Sequence, residues 1–305
     1  MNDILAGIDP LDLSVTALAW AADEAMRRGS RLRLLAALPP VHDRLPSDAF
    51  AHTGALRVRA RSVLSNAQDI ARRLQPSLST VTELVDGEPA EVLREGTADA
   101  VLVVVGSRRL GRVAEVLSES SVSLPLTARA DCPVVVVRAP EHITTYPPSL
   151  VVGVDGSPSC RAALALAVAE ASLRRARLRA VWVWPRPVLP QENAAEGLTQ
   201  RQRLLARSVA EWSDRHPDVE IVEDVLRGHP VEQLRLASRS ALALVVGRRG
   251  RGGYTGMRVG STVRGLLHHA ECPLITVPPS PEPERFEGPV RREEPRFRTD
   301  GQVGV

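Results

Sequence analysis

Residues 241–262 read Ala-Leu-Ala-Leu-Val-Val-Gly-Arg-Arg-Gly-Arg-Gly-Gly-Tyr-Thr-Gly-Met-Arg-Val-Gly-Ser-Thr. The apolar run over 241–247 has no polar alternation, which suits a strand buried on both faces. It ends at Gly247, a glycine-rich stretch follows, and Gly260-Ser261-Thr262 opens a helical pattern over 260–270. A buried strand, a glycine loop and a helix in that order are the parts of a parallel α/β sheet.

Working outward, the chain repeats itself. Val103-Val-Val-Gly106 matches Leu244-Val-Val-Gly247, and Ile4-Leu-Ala-Gly-Ile-Asp9 matches Val151-Val-Gly-Val-Asp155. Leu18 and Leu164, Arg31-Leu-Arg33 and Arg177-Leu-Arg179, Asp86-Gly-Glu-Pro89 and Arg227-Gly-His-Pro230, and Asp131-Cys-Pro133 and Glu271-Cys-Pro273 follow in the same order. The offset stays between 140 and 146 residues. Self-similarity at a steady offset is the signature of a repeated unit.

In the second copy, strands are expected at 149–154, 177–184, 219–226, 241–247 and 273–278. Helices are expected at 159–175, 195–216, 229–239 and 260–270. Such alternation implies right-handed crossovers and helices on both faces of the sheet. The expected fold is therefore α/β: two tandem, open, mainly parallel five-stranded sheets of Rossmann-like design. The first domain is read as 1–140 and the second as 149–278. The stretch 139–148, with three prolines, reads as the linker. Residues 279–305, rich in proline and charge, have little to bury and are expected to be disordered.

The 305 residues are 44% hydrophobic and 25% charged, enough for two ordinary cores. The net charge of +3 creates no strong field for a phosphate backbone. All 39 basic Lys/Arg positions are arginine, which excludes Schiff-base lysine chemistry and a Walker-type phosphate loop. Cys132, Cys160 and Cys272 are too scattered for a disulfide framework or a zinc site. No basic segment with a long apolar run opens the chain, and apolar runs such as Val101–Val105 are strand-length, so neither a signal peptide nor a membrane span is expected. A cytoplasmic location follows as the expectation.

Ligands of open α/β sheets sit beyond the carboxyl ends of the strands. The glycines after Gly247 let backbone approach a ligand, and successive N–H groups can form an anion-binding nest. Gly260-Ser261-Thr262 offers a helix N-terminus and two hydroxyls to a phosphate. The plain alternative is a glycine loop closed by an ordinary helix cap. For Asp155 the alternative to ligand contact is a carboxylate that caps the turn after its strand.

Gly247-x2-Gly250-x9-Gly260-Ser261 resembles, without a gap, the ATP-binding pattern of the universal stress protein family. Val151-Val-Gly-Val-Asp155-Gly156-Ser157 is similar to that family's first strand and turn, Val181-Trp-Val183 to its second strand, Gly228-His-Pro230 to its third-strand exit, and His268-His-Ala-Glu-Cys272-Pro273 to its last helix-to-strand junction. The resemblance implies an ATP site, normally with Mg2+, made by Asp155, Gly156, Ser157, Val183, Gly228, Gly247, Arg248, Gly250, Gly260, Ser261 and Thr262. Asp155 and the Val183 backbone would lie at the adenine and ribose end. Gly247 and Gly250 would approach the ribose and first phosphates, and Gly260, Ser261 and Thr262 would hold the terminal phosphates. It also implies pairing of the two domains through their last strands, Val134–Val137 and Leu274–Val277. Pairing removes exposed strand edges, and a covalent link favours it. Further homodimerisation of the chain stays open.

The first copy departs from the pattern. Pro10 and Leu11 stand for Gly156 and Ser157, Arg109 for Gly250 and Ser120 for Gly260, and its loop is one residue longer. A side chain at the Gly250 position fills space a ribose or phosphate needs, so the first half is expected to bind nucleotide weakly or not at all. In the opposing reading, Arg108 and Arg109 add contacts to phosphate. Trp182 and Trp184 serve either core packing or stacking near adenine.

Other chemistries fit less well. Arg248-Arg-Gly-Arg-Gly-Gly is short for a nucleic-acid tract, and the glycines miss dinucleotide spacing. No G-x-S-x-G elbow is present, and adjacent His268 and His269 do not make a metal pair. Three function classes remain: an ATP-binding stress-response or regulatory module, a slow ATPase or phosphoryl-transfer enzyme, and a purely structural interaction protein. No general base or metal-holding carboxylate pair stands beside Ser261, so the binding module is the expectation.

Overall fold

The computed structural model describes residues 3–40, 46–107, 122–138, 144–184, 194–251 and 258–279. The expected disorder of the tail concerns residues almost wholly outside this set. In the N-terminal half the strands are β1 (Asp3–Gly7), β2 (Arg31–Leu38), β3 (Thr80–Asp86), β4 (Ala100–Gly106) and β5 (Val134–Val137). Its helices are α1 (Val15–Arg28), α2 (Pro46–Leu74), α3 (Pro89–Gly96) and α4 (Ser123–Arg129). The C-terminal half has β6 (Ser149–Val154), β7 (Arg177–Trp184), β8 (Ile221–Arg227), β9 (Leu244–Gly247) and β10 (Leu274–Val277). Its helices are α5 (Pro158–Arg174), α6 (Ala194–Arg215), α7 (Pro230–Ala237) and α8 (Ser261–His269).

The strands form one ten-stranded sheet in the order β3-β2-β1-β4-β5-β10-β9-β6-β7-β8. All pairs within a half are parallel, while β5 and β10 pair antiparallel through Leu274–Val136, Ile275–Val135 and Thr276–Val134. The two halves thus meet edge to edge. Composition decides who sits where. The all-valine β5, the apolar β9, and β10, apolar but for the buried Thr276, lie in the middle, whereas the outer β3 and β8 carry Glu83, Asp86, Glu223 and Asp224.

Each sheet face has one core that runs across both halves. On one face Ile4, Leu18, Leu34, Leu150, Leu164 and Leu178 pack under α1, α2, α5 and α6, with Val135 and Ile275 at the seam. On the other, Leu5, Leu35, Leu126, Leu234 and Leu266 pack under α3, α4, α7 and α8, with Val134, Val136 and Leu274 at the seam. A fully buried side chain of this size stabilises by about 1.5–3 kcal/mol, so the seam is held by core packing and not by the short ladder alone.

A ring of charges closes the seam between α1 and α5. Arg28 and Arg174 alternate with Glu24 and Glu170, each guanidinium bonded to both carboxylates, and both carboxylates are fully buried. Equivalent positions of the repeat supply the two pairs, so the ring has a pseudo-twofold axis. Arg174 also lies over the Trp20 ring at 5.5 Å.

Helix ends follow local chemistry. Ser14 caps α1 by accepting from Ala17 N, and Gly29 ends the helix at φ 61°. Ser157 caps α5 by accepting from Cys160 N, with Pro158 in the first turn. The expected elements of the second half are all present. The β9 strand starts three residues later than expected. Ala241 N–H donates to Ser238 O to close the turn after α7 (3.0 Å), so Ala241–Ala243 serve as the turn.

Candidate functional site

Strand order reverses between β1 and β4, and again between β6 and β9. At such switch points the chain leaves neighbouring strands in opposite directions and opens a crevice beyond their carboxyl ends. In the C-terminal half Asp155 follows β6 and Gly247 ends β9, so both stand at this crevice.

Asp155 ties the two exits together. Its Oδ1 accepts from Ser157 N (2.9 Å) and its Oδ2 from Arg251 N (3.1 Å). Ser157, largely buried, donates from Oγ to Arg249 O (3.2 Å) while accepting from Cys160 N (3.2 Å). The turn reading of Asp155 is therefore correct as far as it goes, and the carboxylate additionally reaches the glycine loop. Gly156 has φ 72°, which permits the turn. Above it lies the Arg251 guanidinium, 5.9 Å from the Trp182 ring centroid.

The three loop glycines differ physically. A Cβ at Gly247 would sit 2.7 Å from the Ser159 carbonyl carbon, and one at Gly250 would sit 2.6 Å from Asp155 Oδ2. Among the described residues, one at Gly260 would meet nothing nearer than 3.7 Å. Backbone opposes a side chain at the first, only the end of the Asp155 side chain stands in the way at the second, and the described residues leave room at the third. Gly260 N–H donates to Arg248 O (3.0 Å), joining the loop's ends. Gly260 is also the N-cap of α8 and, having no side chain, gives the first N–H groups no side-chain cap. Uncapped N–H groups, the exposed Ser261 hydroxyl and the half-buried Thr262 fit the demands of an anionic phosphate chain. Ser261 and Thr262 also line a cleft of about 560 Å³ between α7 and α8, facing His229, Glu232, Arg235 and His269. Of these four, His229 and His269 stood in motifs legible in the sequence; Glu232 and Arg235 join them through helix packing.

Asp155, Gly156, Ser157, Gly247, Gly250 and Gly260 thus converge. Val183 lies in β7 just past the Val154–Trp182 pair, level with Asp155 on the neighbouring strand, and Gly228 stands one strand further out, after β8. Gly228, at φ 151°, donates its N–H to Trp184 O (3.0 Å), and Val183 is in β7 opposite Leu226 of β8. The Arg248 side chain turns away and donates from Nη1 to Ala130 O in the N-terminal half (2.8 Å). Trp182 and Trp184 are both buried, and Trp184 lies between the guanidiniums of Arg201 and Arg227 at 4.6 and 5.2 Å. Among the described residues no group of three His, Cys, Asp or Glu could hold a metal, and no helix is long and apolar enough to cross a membrane.

The first copy keeps the turn but shifts the cap. Asp9 Oδ1 accepts from Leu11 N (2.9 Å), as Asp155 does from Ser157 N. Leu11 cannot cap a helix, so Ser14 takes that role one turn later. Arg59 of α2 donates to Pro10 O (3.2 Å) and Leu11 O (3.0 Å), closing over this turn. The expectations for Arg108, Arg109 and Ser120 lie outside the described residues.

Two copies of a five-stranded α/β unit, each with an Asp at the switch-point turn and joined edge to edge, define a tandem duplication of one domain class. The family model described as "Universal stress protein family" matches residues 1–138 and again 148–278. Universal stress protein Rv2005c of Mycobacterium tuberculosis is 32% identical over 284 residues, covering 90% of this chain and 96% of its own. Universal stress protein Rv2623 of the same organism is 33% identical over 288 residues, covering 89% and 95%. Among solved structures, a universal stress protein from Archaeoglobus fulgidus superposes with a TM-score of 0.69 at 14% identity, covering 92% of this chain and 98% of that one. The chain belongs to the universal stress protein family, in tandem two-domain form.

Proposed function

We infer that this chain is an ATP-binding stress-response or regulatory protein whose nucleotide is held mainly by the C-terminal half. The observation that carries the reading is the contrast among the loop glycines. Gly247 is required by chain packing and Gly250 lies against the Asp155 carboxylate, whereas among the described residues Gly260 has room for a Cβ and stands at a helix N-terminus without a side-chain cap. Space and unpaired N–H groups together are what a bound phosphate uses. Asp155 keeps carboxylate lone pairs beyond its two backbone bonds and is available to a ribose hydroxyl. Ser261 and Thr262 would hold the terminal phosphates, and Mg2+ would be brought by ATP itself, since no carboxylate pair stands beside them. Bound nucleotide would act by favouring one conformation, through differential affinity.

Arg59 over the Pro10–Leu11 turn supports a first half that pairs structurally and leaves nucleotide to the second. The reading takes the domains as 1–140 and 149–278. Calorimetric titration with ATP and Mg2+, on wild type and Gly250→Arg, tests it. One site per chain, lost in the variant, is the expected result. Two sites per chain would mean that the first half also binds. No heat, with no retention in equilibrium dialysis, would turn the reading to a structural interaction protein.

A further inference from the structure

Arg248 is the first residue after β9, and its backbone is tied on both sides. Its N–H donates to Val277 O of β10 (2.7 Å), and its carbonyl accepts from Gly260 N (3.0 Å). It therefore joins the start of the loop to its end. Its side chain crosses the seam, and Nη1 donates to the carbonyl of Ala130, the C-cap of α4 in the other half (2.8 Å). That cap is itself ordered, with Ala130 N–H bonded to Leu126 O (2.8 Å). The guanidinium is desolvated. Its Nε is buried without a hydrogen-bond partner, and burial, helped by the charges of Arg249 and Arg258, pulls its pKa below the ordinary arginine value. A half-buried guanidinium whose Nε has no partner is sensitive to the loss of an acceptor.

The repeat supplies an internal control. Ser107 follows β4 as Arg248 follows β9, and Ser107 N–H donates to Val137 O (3.0 Å) in the matching backbone bond. A serine side chain is too short to cross the seam. The long arm therefore comes from the C-terminal copy, whose loop retains the glycine pattern. At the far end of α8, Arg138 donates from Nη1 to His268 O (2.5 Å), so the helix that begins at the loop is also tied to the N-terminal half.

We propose that Arg248 is a positioning residue through which nucleotide on the 247–262 loop is felt by the N-terminal half at α4 and β5. This rests on the nucleotide reading above. Nucleotide seated against residues 247–251 and 260–262 would reinforce the Val277 and Gly260 bonds that hold the Arg248 backbone, and a held backbone keeps the Ala130 contact. By reciprocity, a seated Ala130 contact favours the ordered loop and tightens nucleotide binding by the same factor. The two halves then share one ligand-dependent equilibrium although one of them carries the nucleotide.

Hydrogen–deuterium exchange on the full chain, with and without ATP and Mg2+, tests this in wild type and in Arg248→Met, which keeps the stem and loses the donors. In wild type, ATP is expected to slow exchange over 247–262 and also over 126–137. In the variant the loop should still be protected at saturating ATP, with affinity about fivefold weaker or more, while protection over 126–137 is lost. Loop protection in wild type with no change over 126–137 overturns the coupling and leaves the nucleotide reading standing. No protection at the loop overturns both. Protection over 126–137 that persists in Arg248→Met assigns the coupling to the β5–β10 ladder and overturns the role of Arg248. If the Met variant does not fold, Arg248→Lys, with a shorter arm and no planar fork, should at least halve the 126–137 effect, and an unchanged effect overturns the proposal.

Discussion

Alanine at Gly247 and at Gly260 should fail in opposite ways. At Gly247 the new Cβ would lie 2.7 Å from the Ser159 carbonyl carbon and 2.8 Å from Ser159 Cβ, in the first turn of α5. Those atoms belong to backbone and a buried side chain, so the strand end or the helix must shift. Overpacking of this kind costs about 1–3 kcal/mol. At about 2–4 °C per kcal/mol for a domain of 150–250 residues, Tm should fall by on the order of 5 °C. At Gly260 the nearest atom is 3.7 Å away, and φ −69° with ψ 154° is open to any residue. Alanine there is a poorer N-cap than glycine by about 0.5–1 kcal/mol, which about 0.4–1 kcal/mol of reduced unfolded-state entropy offsets. Tm should stay within about 2 °C. ATP at 100 times its Kd adds about 2.7 kcal/mol to a native state that binds it, a rise of about 5–10 °C. The Cβ at Gly260 occupies the room left beside the helix N-terminus, so this rise should largely vanish in Gly260→Ala. Thermal unfolding by calorimetry, with and without ATP and Mg2+, reads both effects. A Gly260→Ala protein that keeps the full ATP shift would refute the assignment of phosphates to that position. One that loses as much Tm as Gly247→Ala would refute the steric distinction itself.

Two further outcomes follow from the seam and the thiols. Burial raises the Glu24 carboxyl pKa, but the attraction of Arg174 and Arg28 outweighs it and leaves the group below its ordinary range; for Glu170 burial wins, reinforced by the Glu24 charge, and the pKa is raised. A lowered folded pKa contributes stability above the ordinary carboxylate range that is lost as pH falls through the folded value. A raised one has the opposite sign and gains as Glu170 protonates. Removing either charge leaves two buried guanidiniums short of a partner, so Glu24→Gln and Glu170→Gln should each cost about 3 kcal/mol at pH 7, in urea unfolding; a loss under about 1 kcal/mol for both would contradict the role of the ring. Burial pushes the Cys132 thiol up to about 12 and the Cys272 thiol up to about 11, and raises that of Cys160. All three should be inert to a disulfide reagent at pH 8 in the native chain and titrate on unfolding; rapid native reaction would mean that the cores open.

The sequence by itself determined the duplication, the α/β class and the crevice residues that lie close to strand ends. Apolar runs without alternation could be nothing but buried strands, and Gly247, Gly250 and Gly260 could be read because glycine spacing records where backbone must come close. Ser157 and Asp155 were legible for the same local reason, since a turn and a cap need only neighbouring residues. What each glycine is for was decided by the tertiary structure: the obstacles at Gly247 and Gly250 are Ser159 and Asp155, about 90 residues away in the chain. The Glu24–Arg28–Glu170–Arg174 ring and the reach of Arg248 to Ala130 join residues 118 to 150 positions apart. No local pattern encodes such pairs, because only the meeting of β5 with β10 brings the two halves into contact and removes those charges from water.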